Sequence, residues 1–393
     1  MTNSSDIESV LKCLVPETKV APPISARERQ SRLEKARRLT FDLGADALLI
    51  NAGASLDYFA GLNWGASERL TALWLPVKGK PLLICPYFEH GSAVAGLQIE
   101  AEFCLWQEDE SPHALVGQAM REAGLTTLAV DPSMLFEMAH RLGRETGLPL
   151  KEAGPVITGC RICKSPAEIA IIEQAMAMTL QVQKAATQIL HEGITTTDVV
   201  AFIEAAHRKL GSSGNSFCIV QFGRGTAYPH GLPGVQTLQK NDLVLIDTGC
   251  FVQGYTSDLT RTHCFGKPTD EQRRIWDIEK EAQGTAFARV GPGVPCEEVD
   301  AAVRVVLEKH GLGPDYRLPG LPHRTGHGIG LSIHEPPFIV RGEKTKLDVG
   351  MCFSDEPMIV VPDRFGVRLE DHIHVTEHGA AWFTPPQPDI LTV

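Results

Sequence analysis

Two apolar runs in this chain end in carboxylates, and that pattern limits what the chain can fold into. Leu243-Val244-Leu245-Ile246 leads into Asp247, and Val349-Gly350-Met351-Cys352-Phe353-Ser354-Asp355 leads into Glu356. An acid at the inward end of an apolar strand is costly unless it is paired or bound to a cation. Each run closes the same order of patterns: helix, helix, then strands with acids. The first copy opens at Ser165 and the second near Thr269. Such a duplication predicts a pseudo-two-fold that brings the two acidic strands face to face in a shared sheet.

Upstream of this duplication the chain reads differently. Residues 1–24 show no strong period and end in Ala21-Pro22-Pro23, which predicts an extension or loose arm. Residues 26–44 have helical spacing and stop at Gly44, and 45–50 read as a buried strand. Leu70 to Pro86 reads as a hairpin about Lys78-Gly79-Lys80. Helix and strand patterns then alternate, with no clustered catalytic residue types. Ser165-Pro166-Ala167-Glu168 combines an N-cap, proline at the first helical position and a capping-box glutamate, so a new domain opens near 160. Helices are expected to about Leu190 and from about Thr195 to Leu210. The division is an extension over 1–24, a mixed α/β domain over 25–157 and a second domain over 158–393. At roughly 100–200 residues per domain, 393 residues allow it.

Composition excludes some functions. Apolar residues make up 43% and charged residues 22%, ordinary for a globular chain. A net charge of −11 lacks the basic stripe of a nucleic-acid surface. No apolar run is long enough to span a membrane, and the first residues do not read as a signal peptide, so no membrane partner and a cytoplasmic location are expected. One CxxC, Cys160 to Cys163, has no second pair at zinc spacing, and the ten cysteines read as reduced thiols.

The chemistry-bearing residues form four segments. Asp247 ends its strand, and Asp258 follows in Tyr255-Thr256-Ser257-Asp258-Leu259-Thr260, on an adjoining strand. Either aspartate alone could be a cap, a turn residue or an ion-pair partner. His323, His327 and His334 stand in a glycine-rich stretch, where missing side chains leave a bare pocket floor. A phosphate loop fits poorly, because no Lys-Ser/Thr and no helix pattern follow. Glu356 closes the second apolar run, and Glu370 alternates with Leu369 along a further strand. Four carboxylates and one imidazole suit two hard or borderline cations such as Mn²⁺, Zn²⁺ or Co²⁺. Two ions about 3.5–4 Å apart, with a hydroxide between them, imply hydrolysis of an amide or ester.

At these residues the chain resembles the creatinase/aminopeptidase P/prolidase group of pita-bread metallopeptidases, and within it the bacterial Xaa-Pro dipeptidases (prolidases). The motifs are LVLIDTG (243–249), SDLTRT (257–262), HRTGHGIGLSIHEPP (323–337), DEP (355–357) and VRLED (367–371). The resemblance implies an α/β (α+β) chain with a creatinase-type N-terminal domain and a pita-bread catalytic domain with a curved, pseudo-two-fold antiparallel sheet. It implies that Asp247, Asp258, His327, Glu356 and Glu370 hold two divalent ions, manganese first and zinc or cobalt as alternatives. Asp258 and Glu370 would bridge the ions, and Glu356 would also shuttle protons for a bridging hydroxide. His334 would steady the substrate carbonyl, His230 would lie near the scissile bond, His323 would line the proline pocket, and Arg368 would lie near the substrate carboxylate or the metal shell. The implied substrate is an Xaa-Pro dipeptide and the implied assembly a homodimer. Tyr58 to Trp64 could reach a neighbouring subunit's site or pack their own domain. A peptide bond before proline offers no N–H, so a rigid ring pocket must replace that handle.

One departure concerns a tyrosine that many relatives carry before the upstream histidine. Here the chain reads Asn215-Ser216-Phe217-Cys218-Ile219-Val220, about one residue short. Tyr255 is a candidate substitute. The competing readings are an aminopeptidase P acting on longer Xaa-Pro peptides, a metal-independent creatinase-like hydrolase, and a binding module that has lost catalysis.

Overall fold

Apolar residues spaced three and four apart turn the first described segment into a helix. The computed structural model describes residues 4–16 and 20–390. Helix α1 (Ser4–Cys13) lies where a loose arm is expected from sequence. Ile7, Val10, Leu11 and Leu14 are half-buried and share one face, so a short helical period is present after all.

Residues Ile24–Arg161 form one compact unit. Ser25 accepts from the Glu28 amide and starts α2 (Ala26–Asp42). The chain continues through β1 (Ala47–Asn51), α3 (Ala54–Ala60), β2 (Ala72–Pro76), β3 (Leu82–Pro86), α4 (His90–Gly96), β4 (Glu102–Trp106), α5 (Pro112–Glu122), β5 (Leu128–Val130), α6 (Phe136–Thr146), β6 (Leu150–Glu152) and α7 (Gly154–Arg161). The six-stranded sheet runs β4-β3-β2-β1-β5-β6. The β2–β3 hairpin and the β1–β2 pair are antiparallel, and the outer pairs are parallel. Leu49, Trp74 and Ile84 pack with Val116 and Met120 of α5 and Leu142 of α6. Tyr58 and Phe59 are buried within this unit. The Tyr58 hydroxyl donates to the Cys160 carbonyl at 2.8 Å.

The second unit takes Ile162–Val393 together with the residues up to Pro23. Its first half holds α8 (Pro166–Thr187), α9 (Thr196–Leu210), β7 (Asn215–Phe222), β8 (Leu243–Val252), β9 (Tyr255–Thr256) and β10 (Leu259–Cys264). Its second half holds α10 (Asp270–Arg289), α11 (Cys296–Lys309), β11 (Gly326–Gly328), β12 (Glu335–Ile339), β13 (Cys352–Asp355), β14 (Met358–Val361), β15 (Phe365–Arg368), β16 (Asp371–Thr376) and β17 (Gly379–Trp382). Capping boxes at Ser165/Glu168, Thr195/Asp198 and Thr269/Gln272 set where α8, α9 and α10 begin.

One sheet runs β10-β8-β7 and the other β12-β11-β13-β16-β17. An antiparallel bridge between Thr260 and Glu370 joins them. Each half also sends a buried glutamine from its long helix onto the strands. Gln183 Nε2 of α8 donates to the carbonyls of Ile246 and Leu259, and Gln283 Nε2 of α10 donates to the carbonyl of Leu369 and to Asp371. Within the second half, Ile275 and Trp276 of α10 and Val299 and Val303 of α11 pack with Phe353, Val367 and Ile373 of its strands.

Close backbone approach fixes two glycines. A Cβ on Gly249 would stand 1.7 Å from the Ser257 carbonyl oxygen, and one on Gly326 would stand 1.9 Å from that of Ser354. Gly326→Ala is expected to cost at least about 3 kcal/mol, because the backbone itself must move. Gly284→Ala, in α10 with nothing within 4 Å of its Cβ, is expected to add about 0.5–1 kcal/mol. Denaturant melts of both variants check this; a Gly326→Ala protein as stable as the parent would contradict the β11–β13 packing.

Candidate metal centre

Strand register gathers the acids. Asp247 is directly opposite Thr260 in the β8–β10 pair, and Thr260 is opposite Glu370 across the inter-sheet bridge. Paired residues point to the same face, and Asp258, just before β10, brings a carboxyl oxygen within 4.8 Å of one on Glu370. Three carboxylates from three chain segments therefore converge. Thr260 Oγ1 donates to Glu370 Oε2 at 2.7 Å and accepts from Arg368 Nε at 3.0 Å.

His327 arrives from the other half. The Ser354 hydroxyl accepts from its backbone amide at 2.8 Å. Its Nδ1 donates to the Gly328 carbonyl at 3.2 Å, which leaves the Nε2 lone pair free to bind. That Nε2 lies 3.1 Å from Glu356 Oε1 and 3.7 Å from Asp258 Oδ2. One ligand atom each from Asp258, His327 and Glu370 all lie within 4.8 Å of one another. Ser354 Oγ donates to Glu356 Oε1 at 3.0 Å.

Electrostatics show how strained this arrangement is. Burial, and then the charges of Glu370, Asp247 and Glu356, push Asp258 well above the usual carboxylate range. Burial, and then Glu356 and Asp247, do the same to Glu370. Asp247 is raised by burial against the pull of Arg368, whose guanidinium hydrogen-bonds it. Glu356 goes the other way. Burial opposes its charge, yet His327, His323 and Arg368 hold it well below the usual range. Asp247 Oδ1, Asp258 Oδ1 and Glu370 Oε1 are buried with no hydrogen-bond partner among the described residues. Buried carboxyl oxygens left without partners beside the His327 imidazole fit divalent cations, and the donor set suits Mn²⁺, Zn²⁺ or Co²⁺.

Beside the cluster lies a cavity of about 440 Å³, within the range of small-ligand pockets. Pro229, His230, Pro322, His323, Arg324, His327, His334, Glu356 and Arg368 line it. Eight of the nine residues singled out from sequence thus lie in the cluster or on the cavity wall, and the ninth, Asp247, hydrogen-bonds Arg368 of that wall. The His334 ring stands 4.1 Å from that of His327, and burial, then His327 and Arg324, lower its pKa to about 4. His323 Nδ1 donates to the Arg324 carbonyl at 2.6 Å, so its Nε2 carries no proton when neutral.

One expectation changes. Tyr255 does not replace the missing tyrosine, because its hydroxyl donates to Glu168 at 2.9 Å and it is absent from the cavity wall. Arg368 keeps both of its expected places, since it hydrogen-bonds Asp247 and also lines the cavity. Thr260, Ser354 and Arg324 carry parts of the site that sequence reading passes over. Thr260 and Arg324 stand inside motifs already singled out, and only pairing and cavity geometry give them a role.

Comparison with known proteins agrees with the geometry. Residues 170–377 match metallopeptidase family M24, and residues 32–163 match the creatinase/prolidase N-terminal domain. The chain belongs to family M24. It is 32% identical to an Xaa-Pro dipeptidase of Lactobacillus helveticus over 92% of this chain and 98% of that protein. The crystal structure of the dipeptidase PepE from Mycobacterium ulcerans superposes with a TM-score of 0.86 at 34% identity, covering 95% of this chain and all (100%) of that one. A prolidase from Thermococcus sibiricus gives 0.85 at 30% identity, over 93% and 99% of the two chains. The antiparallel sheets of the second unit are those of the pita-bread fold.

A group whose pKa is raised by folding holds its proton in the folded state after the unfolded chain has released it. The metal-free protein therefore loses stability as pH rises above the ordinary carboxylate range near 4. Bound cations reverse that cost. The gap in melting temperature between metal-loaded and chelated protein is expected to be wider at pH 8 than at pH 5. A gap that is absent, or independent of pH, would contradict a cation site built from these acids.

Proposed function

We propose that this chain is an Xaa-Pro dipeptidase that works with two divalent cations, held by Asp247, Asp258, His327, Glu356 and Glu370. The observation that carries the proposal is the Asp258–His327–Glu370 cluster set against a cavity walled by three further histidines. The cations would polarise the scissile carbonyl and lower the pKa of water enough to give a hydroxide nucleophile at neutral pH.

The chain's own residues account for the rest. Glu356 is held ionised, so its carboxylate can take a proton from the attacking water and deliver it to the departing proline nitrogen. That nitrogen begins as a tertiary amide without hydrogen, and it must gain a proton to leave as an amine. His334 is neutral near pH 7 and can donate an N–H to the carbonyl oxygen as negative charge develops there. His230 sits exposed on the cavity wall, where it would face a bound dipeptide. Pro229, Pro322 and His323 offer a rigid surface for the proline ring. Arg368 is assigned to Asp247, since it spends its donors on Asp247, Thr260 and the Pro229 carbonyl.

The test is hydrolysis of Ala-Pro and Ala-Pro-Gly by protein reloaded with Mn²⁺ or Zn²⁺ after chelation. Metal-dependent release of alanine from Ala-Pro is expected. Cleavage of neither peptide would overturn the proposal, and full activity of a metal-free preparation would overturn its metal requirement. Glu356→Ala is expected to lower kcat at least about 10²–10⁴-fold. Activity surviving that change would reject Glu356 as the proton carrier.

A further inference from the structure

Two guanidinium groups reach the cavity, and they differ in how they are occupied. Arg368 is 4% exposed, and its nitrogens serve Thr260, Pro229 and Asp247. Arg324 is half-buried, and among the described residues its guanidinium has no hydrogen bond or ion-pair partner. Its position is nevertheless fixed. The guanidinium carbon lies 4.7 Å from the centre of the Phe338 ring, a cation–π distance. Phe338 itself stands opposite His327 in the β11–β12 register. The backbone at 324 is pinned on both sides. Its carbonyl accepts from His323 Nδ1, and the next residue, Thr325, donates its amide to the Ile339 carbonyl and its hydroxyl to Asp300.

A cation held by an aromatic ring, with its planar fork unspent inside a ligand cavity, is prepared for a planar anion. A free dipeptide carries such an anion one residue beyond the bond to be cut. A longer peptide has a neutral amide there instead. We infer that Arg324 binds the C-terminal carboxylate of the substrate and thereby selects dipeptides over longer or blocked peptides. The inference rests on the dipeptidase reading above and assigns its substrate class to one side chain.

The test compares Ala-Pro with Ala-Pro-amide on the metal-loaded enzyme and its Arg324→Met and Arg324→Lys variants. Melting temperature and metal content show that each variant is folded and loaded. The wild type is expected to favour Ala-Pro in kcat/KM. Arg324→Met is expected to cut that preference by about 10- to 100-fold, the range for losing one charge-assisted pair, with the change carried in KM. Arg324→Lys should restore part of it. A wild-type preference retained by Arg324→Met, or an equal loss on both substrates, overturns the inference while leaving the dipeptidase reading intact. A wild type that cleaves neither substrate overturns both.

Discussion

Mutual repulsion among buried carboxylates is the constraint on which the rest of this structure depends. Asp258 and Glu370 are raised well above the normal range by burial and by each other's neighbours, and three carboxylate oxygens stay unpaired. No chain keeps such a cluster for stability, because unpaired buried charge costs several kcal/mol per group. The fold supplies only partial relief: Arg368 at Asp247, Thr260 at Glu370, and His327 beside Glu356. What remains uncompensated is the driving force for binding cations.

Holding repelling groups together requires rigid strands, and the duplicated unit provides them. The Thr260–Glu370 bridge ties the sheet of one half to that of the other, so Asp247 and Glu370 flank one threonine. The buried amides of Gln183 and Gln283 anchor each long helix to the strands that carry the acids. Gly249 and Gly326 let neighbouring backbones approach where no Cβ fits. The acids and the imidazole come from both halves, so neither half alone holds the cluster.

Much of this was legible in the sequence, for identifiable reasons. An acid ending an apolar strand is conspicuous, and Asp247 and Glu356 announce themselves that way. Capping boxes at Ser165, Thr195 and Thr269 place three helix starts because capping is local chemistry. Long-range pairing is not local. Thr260 becomes the link between two acids only through register, and Arg368 is directed to Asp247 only by the fold. Tyr255 is held by Glu168, 87 residues away in sequence, a partner that no local pattern indicates. Helix α1 is faint in the sequence because four apolar positions in a short polar segment make a weak period.

Calorimetric titration of the metal-free protein with Mn²⁺ tests the central claim most directly. The account predicts two ions per chain, with protons released on binding, and loss of at least one of them in Asp258→Asn. Absence of binding, or binding that ignores Asp258, would contradict it.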